Sequence, residues 1–562
     1  MKRNKLYTDD TKLPDIPLSE YPRMQFRRDS YLCLNGTWDI AFSFNDKLPS
    51  TYEQKVIVPF PIESHLSSLN RTLRKRERIF YRKFFTLDSD FIKDKTILHF
   101  DAIDQIAEVY LNGTILCKHI GGYLPFSVDI SKYVQKENEL IVKVRDDLDI
   151  RIPYGKQSKK SKGMWYTKTS GIWKTVWLES VHSNHFENIK IDVTLNSVQI
   201  NVFGNVSKKK LIIRTEKEDI VREFSGDIIK VNIKDPHLWT PNDPYLYYFD
   251  LVSEHDVIHS YFALRTISVV KTNGYPCLML NNKPYFFHGL LDQGYFPDGL
   301  LTPKSYKQYE KEIIELKELG FNTLRKHIKI EPLYFYYLCD KLGMIVFQDF
   351  VNNGRYHYIH DTVLPTIGFT KRRERKLLSK VTKENFINHA KETVELLYNS
   401  PSVLYYTIFN EGWGQFDSDK MYDLVKSMDS SRIIDTTSGW FKQKKSDVES
   451  LHIYFKKIEG AMTEKPRIIS EFGGFAYKDI EHCYNPKNMY GYKKFKNYED
   501  LEKAVKKLYD EAISPFILKG IAGTIYTQVS DVEDETNGIF TYDRHIKKIK
   551  VKLIDKLDEI NL

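Results

Sequence analysis

The sequence predicts a multidomain β plus α/β protein, with an N-terminal jelly-roll β-sandwich, an immunoglobulin-like β-sandwich and a C-terminal (β/α)8 TIM barrel. Three observations lead to this fold class. The chain of 562 residues is too long for one hydrophobic core. Short alternating runs with almost no helical periodicity fill its first half, and after about residue 271 apolar strands alternate with helices. We therefore expect domains at residues 1–180, 181–270 and 271–562.

Short strands separated by turn residues characterise the first two predicted domains. Residues 107–111 and 114–116 are strand-like and flank Asn112-Gly113, a pair that favours a type I′ hairpin turn. With helix signals nearly absent, the first 180 residues are typical of a jelly roll. The next ninety or so residues continue the alternation and fit an immunoglobulin-like sandwich, although the Cys-Trp-Cys signature of antibody domains is absent.

The remaining residues contain eight candidate strands, which is the number that a (β/α)8 barrel requires. Helical periodicity separates several of them, most clearly at residues 304–319, 333–342, 385–398 and 501–518. The predicted strands are residues 285–291, 322–327, 344–350, 403–410, 433–438, 450–454, 467–470 and 522–528.

Composition excludes several functional classes. The 84 basic and 75 acidic residues are intermixed without a basic stripe, so nucleic acid is not an expected partner. Two denser basic runs, Lys156 to Lys162 and Lys371 to Lys376, are predicted to be solvated loops. Five widely spaced cysteines form no disulfide or metal pattern, which favours a reducing compartment. Neither an apolar signal segment nor a membrane-length apolar run is present, so we expect a cytoplasmic protein. No cluster of residues with metal-ligand spacing occurs, so we expect that no metal is required.

Two glutamates stand at matching positions in this pattern. The predicted fourth strand ends at Asn410 and is followed by Glu411-Gly412, and the predicted seventh strand ends at Ser470 and is followed by Glu471-Phe472-Gly473. Barrel active sites lie at the carboxyl ends of the strands, and a pair of carboxyl groups there is what glycoside hydrolysis uses. We assign Glu411 as general acid/base and Glu471 as nucleophile. The alternatives are two solvated loop residues, or an inverting hydrolase with carboxyl groups about 6.5–9.5 Å apart.

Across nearly its whole length the chain resembles glycoside hydrolase family 2, which includes β-galactosidases, β-glucuronidases and β-mannosidases. The resemblance implies the same three-domain architecture, with Glu411 in the acid/base position and Glu471 in the nucleophile position. The matching motifs are residues 34–38, 109–113 and 170–179 in the first domain, and residues 320–327, 410–411, 470–473 and 538–544 in the barrel.

The resemblance also implies roles for neighbouring residues. Asn410 matches the residue that contacts the sugar 2-hydroxyl, Arg325 is expected to support the nucleophile, and Tyr454 matches the tyrosine that hydrogen-bonds it. His327 resembles a substrate-binding histidine, but only Lys326 separates it from Arg325 where relatives have two residues, so a packed core histidine is the alternative. Two aromatic residues, Trp413 and Tyr526, are weaker candidates for sugar stacking, with barrel packing as the alternative. Two acids, Asp292 and Asp349, are weaker candidates for hydroxyl binding, with loop solvation as the alternative.

The sugar is less well determined. β-Glucuronidases carry an Asn-x-Lys motif where this chain has Glu535-Thr536-Asn537, so repulsion argues against a uronic acid. We expect an exo-acting retaining β-galactosidase, although the first-domain loop at Trp165 lacks the acid of several relatives. β-Glucuronidase, another β-glycosidase and a non-catalytic carbohydrate-binding protein are the alternatives, and the last predicts loss of one glutamate. The expected partner is a glycoside. Some relatives bind magnesium or sodium, but no ligands are identified here, and a homo-oligomer is compatible with the sequence.

Overall fold

The structure is a computed structural model that describes residues 4–370, 378–454, 456–459 and 463–561. The predicted solvated run Lys371 to Lys376 lies outside these residues.

Two antiparallel sheets form the first domain. The predicted hairpin is confirmed: Leu111 pairs with Thr114, and Asn112 and Gly113 both have positive φ, at 50° and 80°. The inward side chains of both sheets form one buried core. In spatial order, the larger sheet contains Gln54–Val58, Gly36–Ser43, Arg78–Thr86, Glu137–Arg145, Ile106–Leu111 and Thr114–Ile120, and the smaller sheet contains Leu32–Cys33, Val176–Val181, Lys95–Phe100 and Phe126–Asp129.

A seven-stranded sandwich follows, as predicted for an immunoglobulin-like domain. One sheet contains Phe186–Val193, Ser197–Gly204 and Ile228–Asn232, and the other contains Ile220–Phe224, Lys209–Ile213, Tyr247–Val252 and Val257–Phe262.

A small antiparallel sheet precedes the first barrel strand, in a region that we had predicted to start the barrel. Leu278 and Leu280 of this sheet belong to the apolar cluster that contains Phe287 and Phe347 of the barrel interior. The sheet therefore packs against the end of the barrel at which the strands begin. Its strands are Ile267–Thr272, Tyr275–Leu280 and Lys283–Pro284.

Eight parallel strands form the barrel, in the order 5-4-3-2-1-8-7-6. Strands 5 and 6 end this order and lie beside each other, so the barrel is nearly closed. We number them along the chain as strand 1 (Phe287–Asp292), strand 2 (Thr323–Lys326), strand 3 (Ile345–Asp349), strand 4 (Val403–Asn410), strand 5 (Ile433–Ser438), strand 6 (Glu449–Ile453), strand 7 (Arg467–Gly473) and strand 8 (Gly523–Thr527).

Strand 7 differs from the prediction in a way that affects function. It continues through Glu471 to Gly473, and its pairing with strand 6 shifts register between Ile469 and Glu471. Its pairing with strand 8 shifts there too. A bulge changes the direction in which neighbouring side chains point, so this irregularity helps to orient the Glu471 carboxylate.

Helices surround the barrel. The prediction missed Ser418–Met428, although Met421 and Val425 are spaced for one buried helical face. None of the helices in the described part of the chain combines the length and the apolar character needed to cross a membrane. The longer helices are Lys307–Glu318, Leu333–Leu342, Lys380–Leu397, Ser418–Met428 and Tyr498–Ala512; single turns occur at Met24–Phe26, Ile359–Val363, Leu364–Thr366, Ser514–Phe516 and Leu557–Ile560. Short additional strands are Ile103–Asp104, Gln157–Ser158, Tyr166–Thr167, Gly171–Ile172, Phe475–Ala476 and Lys493–Lys494.

Candidate active site at the ends of barrel strands 4 and 7

The two strand-end glutamates share one site. A carboxylate oxygen of Glu411 and one of Glu471 lie within 4.8 Å of each other. Glu411 leaves strand 4 with a φ of 53°, and its N–H donates to the carbonyl oxygen of Ser438 at the end of strand 5, 3.0 Å away. Gly412 follows with a φ of 70°. Two successive left-handed residues thus turn the chain sharply after strand 4.

Both oxygens of Glu471 accept hydrogen bonds. Arg325 Nη1 donates to Oε1 over 3.0 Å, and the hydroxyl of Tyr454 donates to Oε2 over 2.6 Å. Burial by itself raises the pKa of Glu471, but the charges of His452 and Arg325, with the hydrogen bond from Tyr454, lower it to about 2. Glu471 is therefore ionised at neutral pH, as a nucleophilic carboxylate must be.

Arg325, at the end of strand 2, connects most of the predicted site residues. Its Nε donates to Asp349, its Nη1 donates to Glu471, and its Nη2 donates to the side-chain oxygen of Asn410 over 2.8 Å. No acceptor for the amide nitrogen of Asn410 exists among the described residues. That N–H group is therefore available to a ligand, in agreement with the proposed contact to a sugar hydroxyl.

His327 and Asp349 are both buried in the cluster, so Asp349 is not a solvated loop acid. The Nδ1 atom of His327 lies 2.7 Å from Asp349 Oδ2, and the other oxygen of Asp349 accepts from Arg325. Burial lowers the pKa of His327 to about 4 against the opposing effect of Asp349, so the imidazole is neutral at pH 7. A neutral imidazole can donate or accept a single hydrogen bond at its free nitrogen.

Sequence reasoning missed His452, which lies between the two glutamates. Its Nδ1 is 2.8 Å from Glu411 Oε1, and its Nε2 is 3.6 Å from Glu471 Oε1. The side chain is fully buried. A signal was available, because residues two apart in a strand point to the same face, and Tyr454 follows His452 by two positions.

Asp292 does not join this cluster. It forms a 2.6 Å ion pair with Lys326, and its other oxygen accepts from the N–H of Gly294. Lys326 also pairs with Glu331 at 2.6 Å, and all three side chains are buried. These contacts favour a structural role for Asp292 over the proposed hydroxyl binding, since a buried lysine needs carboxylate partners.

Trp413 and Tyr526 follow the packing alternative rather than sugar stacking. Trp413 is 2% exposed, donates from Nε1 to the carbonyl oxygen of Gly354, and meets Trp165 edge-on at 5.1 Å. Tyr526 is also 2% exposed; its ring packs edge-on against Phe472 at 5.5 Å. Neither ring has a free face for a sugar.

Other aromatic residues form the rim of the site. Tyr492 stacks on Tyr454 with ring centroids 3.9 Å apart. From the first domain, the partly exposed Trp165 meets Tyr356 edge-on at 5.0 Å. No strand-end pattern marks Tyr492 or Tyr356, because both lie in long loops whose position depends on tertiary packing. Such rings offer the apolar faces that sugar rings stack on.

Glu535, which stands in place of the asparagine of the Asn-x-Lys motif, is buried beside the site. Glu535 accepts hydrogen bonds from the hydroxyl of Tyr166 and, at 3.5 Å, from the amide of Gln528. Burial, reinforced by the charge of Glu471, raises the pKa of Glu535 to about 7, and Lys156 opposes this change. The first domain thus reaches the barrel site through Tyr166 and the charge of Lys156.

The site does not suit the magnesium or sodium that some relatives bind. Glu411, His452 and Glu471 offer ligand atoms within 4.8 Å of one another. However, Nη1 of the guanidinium of Arg325 already lies 3.0 Å from Glu471 and 3.5 Å from His452. A second cation at this position would be repelled by the charge of Arg325.

Comparison with known proteins gives a consistent family. The profile described as "Glycosyl hydrolases family 2, sugar binding domain" matches residues 33–181, that described as "Glycosyl hydrolases family 2" matches residues 173–265, and that described as "Glycosyl hydrolases family 2, TIM barrel domain" matches residues 276–561.

Among individual proteins, a β-galactosidase from Thermoanaerobacter pseudethanolicus is 26% identical over 71% of this chain, which spans only 54% of that relative's length. The large subunit of a β-galactosidase from Lactobacillus helveticus is 24% identical over 80% of each chain. Among solved structures, a β-D-glucuronidase from Dictyoglomus thermophilum aligns with a TM-score of 0.74, at 19% identity, over 96% of this chain and 98% of that one. At this identity the structural likeness establishes the fold alone. Because the barrel profile alone covers more than half of the chain, the protein belongs to glycosyl hydrolase family 2.

Proposed function

We propose that the protein is a retaining, exo-acting β-glycosidase. The observation that carries this proposal is the separation of the Glu411 and Glu471 oxygens, which lie within 4.8 Å of each other. Retaining enzymes hold their carboxyl groups about 5–5.5 Å apart, whereas inverting enzymes need about 6.5–9.5 Å to admit a water. The presence of both glutamates also argues against a non-catalytic binding protein.

In the first step, an oxygen of ionised Glu471 attacks the anomeric carbon while the bond to the glycosidic oxygen breaks. Glu411 donates its proton to that leaving oxygen, and a glycosyl ester of Glu471 forms. Arg325 and Tyr454 hold the two oxygens of Glu471 in place before the attack. The free amide of Asn410 is positioned by Arg325 to bind a sugar hydroxyl as the ring becomes oxocarbenium-like.

In the second step, water attacks the same anomeric carbon. Glu411, now a carboxylate, takes a proton from this water, and the ester bond to Glu471 breaks with its electron pair returning to the carboxylate. Two inversions at one carbon leave the sugar with its original β configuration.

For the sugar, a neutral β-galactoside is our first candidate. Glu535 stands where relatives that bind glucuronic acid carry asparagine, and Asn537 stands where they carry lysine. A substrate carboxylate would approach Glu535 next to Glu471, which costs electrostatic energy. A β-glucuronide is the second candidate, because the charge of Lys156 affects the pKa of both Glu535 and His327 and so lies near the same part of the site.

A panel of 4-nitrophenyl β-glycosides tests both levels of the proposal. We expect the galactoside to be hydrolysed with the highest kcat/KM, and hydrolysis of the glucuronide alone would select the second candidate. Proton NMR of the first-formed product tests the mechanism, since retention predicts the β anomer. An α anomer, or no hydrolysis of any glycoside in the panel, would refute the proposed chemistry.

A further inference from the structure

A second group of ligating side chains lies outside the active site. His482 follows the short strand Phe475–Ala476, and Asp543 and His545 lie in the turn after Phe540. Their ligand atoms all lie within 4.8 Å of one another. His482 lies far from Asp543 and His545 in the sequence, so no spacing motif predicts the group.

One oxygen of Asp543 is fully occupied by its own turn. Oδ1 accepts from the hydroxyl of Thr541 over 2.6 Å and from the N–H of His545 over 3.2 Å. Oδ2 faces the two imidazoles, 2.7 Å from His482 Nδ1 and 3.5 Å from His545 Nδ1. The turn therefore orients the carboxylate so that one oxygen points between two ring nitrogens.

The orientation of His545 determines where its proton lies. Its Nε2 is 3.3 Å from the carbonyl oxygen of Thr8, and a carbonyl can only accept, so Nε2 carries the hydrogen. In the neutral ring, Nδ1 then holds a lone pair directed at the Asp543 carboxylate. Two electron-rich atoms then face each other, and either a proton on Nδ1 or a metal ion between the two atoms stabilises this arrangement. Protein metal sites commonly fix a histidine in this way, through its second ring nitrogen.

We propose that His482, Asp543 and His545 bind a divalent transition-metal ion of the zinc class, with water completing the coordination. Zinc binds imidazole nitrogen at about 2.0–2.1 Å and carboxylate oxygen at about 2.0–2.2 Å. The side chain of His545 is 46% exposed, so its ring can move the short distance that closes the site. Two imidazole ligands favour zinc, nickel or copper over magnesium and calcium, which prefer oxygen.

The position of the group suggests a structural role for the ion. The nearby backbone is already held by Asn4, whose side chain donates to the carbonyl oxygen of Cys483 and whose N–H donates to that of Tyr484. The same loop continues to Tyr492, which stacks on Tyr454. A metal would join this loop to the turn at Asp543 and to the N-terminal segment, and so stabilise the rim of the active site.

The test is zinc binding to tag-free protein after treatment with a chelator, measured by isothermal titration calorimetry and by elemental analysis. We expect one Zn²⁺ per chain, and an affinity at least about tenfold weaker in both His482→Gln and His545→Gln. The second variant changes an exposed side chain, so folding is retained even if the first variant is unstable. Added zinc should also raise Tm of the unsubstituted protein and not that of the variants.

Two controls make the result specific. His255→Gln changes an exposed histidine that belongs to neither group of potential ligands found among the described residues, and it should bind zinc like the unsubstituted protein. Glu411→Gln should also bind normally, because it disrupts the other group of potential ligands. Equal binding by the His482 and His545 variants, loss of binding only in Glu411→Gln, or no saturable binding would overturn the proposal. None of these readouts depends on glycosidase activity, so the proposed function is tested separately.

Discussion

His452 Nδ1 lies 2.8 Å from Glu411 Oε1, and this contact orients the proposed acid/base. The opposite nitrogen, Nε2, lies 2.9 Å from the hydroxyl of Ser438 and 3.5 Å from Arg325 Nη1. When Glu411 is a carboxylate it can only accept, so the hydrogen of this contact is on Nδ1 of His452. One buried imidazole thereby connects the acid/base to the surroundings of the nucleophile.

Replacing His452 should impair proton donation more than nucleophilic attack. His452→Leu removes a hydrogen bond to Glu411, a loss of about 1.5–3 kcal/mol for a charged acceptor, or roughly 10–100-fold in rate. We expect this loss on aryl glycosides with poor leaving groups and a small effect on dinitrophenyl glycosides, which need no proton. The measurement is kcat/KM across a leaving-group series.

His452→Asn is the matched control for that series, because the asparagine amide can occupy the position of Nδ1 and donate to Glu411. It should recover part of the activity on poor leaving groups. A uniform loss across the series in both variants would show that His452 supports the site only as packing.

The two glutamates should respond differently to substitution. Glu471→Gln removes the nucleophile and should leave no turnover above background on any substrate. Glu411→Gln removes general acid/base catalysis, which contributes about 10²–10⁴-fold, and should retain measurable glycosylation with good leaving groups. Pre-steady-state kinetics on a dinitrophenyl glycoside distinguish the two, and equal, mild losses in both variants would contradict the assignment.

Arg325 should contribute to the acid limit of activity. By favouring the ionised form of Glu471, it helps to keep the pKa of that carboxyl at about 2, below its ordinary value. Arg325→Met should raise this pKa, so that activity is lost at a higher pH as the pH falls. We expect the acid limb of the kcat/KM profile to move up by about 1–3 pH units. Arg325→Lys keeps the positive charge, so it should move the acid limb of the kcat/KM profile less. An acid limb that stays in place in both variants would refute the electrostatic role of Arg325.

Restoring the uronate motif should change the substrate preference. The double variant Glu535→Asn with Asn537→Lys removes a buried carboxyl and introduces a cation at the corresponding position. We expect the ratio of kcat/KM for the 4-nitrophenyl glucuronide to that for the galactoside to rise by about tenfold or more, since one favourable charge contact is worth about 1.5–3 kcal/mol. Asn537→Gln is the uncharged control, and an unchanged ratio in the double variant would show that this position does not face the sugar.

Lys326 should matter for stability rather than for substrate binding. It is buried between Asp292 and Glu331, at 2.6 Å from each. Lys326→Met leaves the buried carboxylate of Asp292 without its ion-pair partner, whereas Glu331 keeps Lys329 at 2.8 Å. The substitution should lower the free energy of unfolding by about 3–5 kcal/mol, measured by urea denaturation. Asp292→Asn should be milder and should leave KM unchanged. A raised KM in Asp292→Asn without a loss of stability would show that Asp292 contacts the substrate.

Much of this fold follows from local pattern. Strand 4 at Val403–Asn410 and strand 5 at Ile433–Ser438 coincide with the prediction, because an uninterrupted apolar run bounded by turn residues is typical of a strand buried on both faces. The helix Leu333–Leu342 also coincides, and Gly343 follows it with a φ of 75°, as expected after a helix end. Register irregularities carry no such signal, so the continuation of strand 7 through Glu471 was missed.

The sequence by itself determined the three-part architecture and the two strand-end glutamates, because side-chain alternation and strand polarity decide which residues meet at the carboxyl end of a barrel. Only the tertiary structure decided the surroundings of those glutamates. It placed His452 between them, paired Asp292 with Lys326, turned Trp413 and Tyr526 into the packing, and brought His482 to Asp543 and His545. Such contacts join residues far apart in the chain, and their geometry depends on how loops and domains pack rather than on any local periodicity.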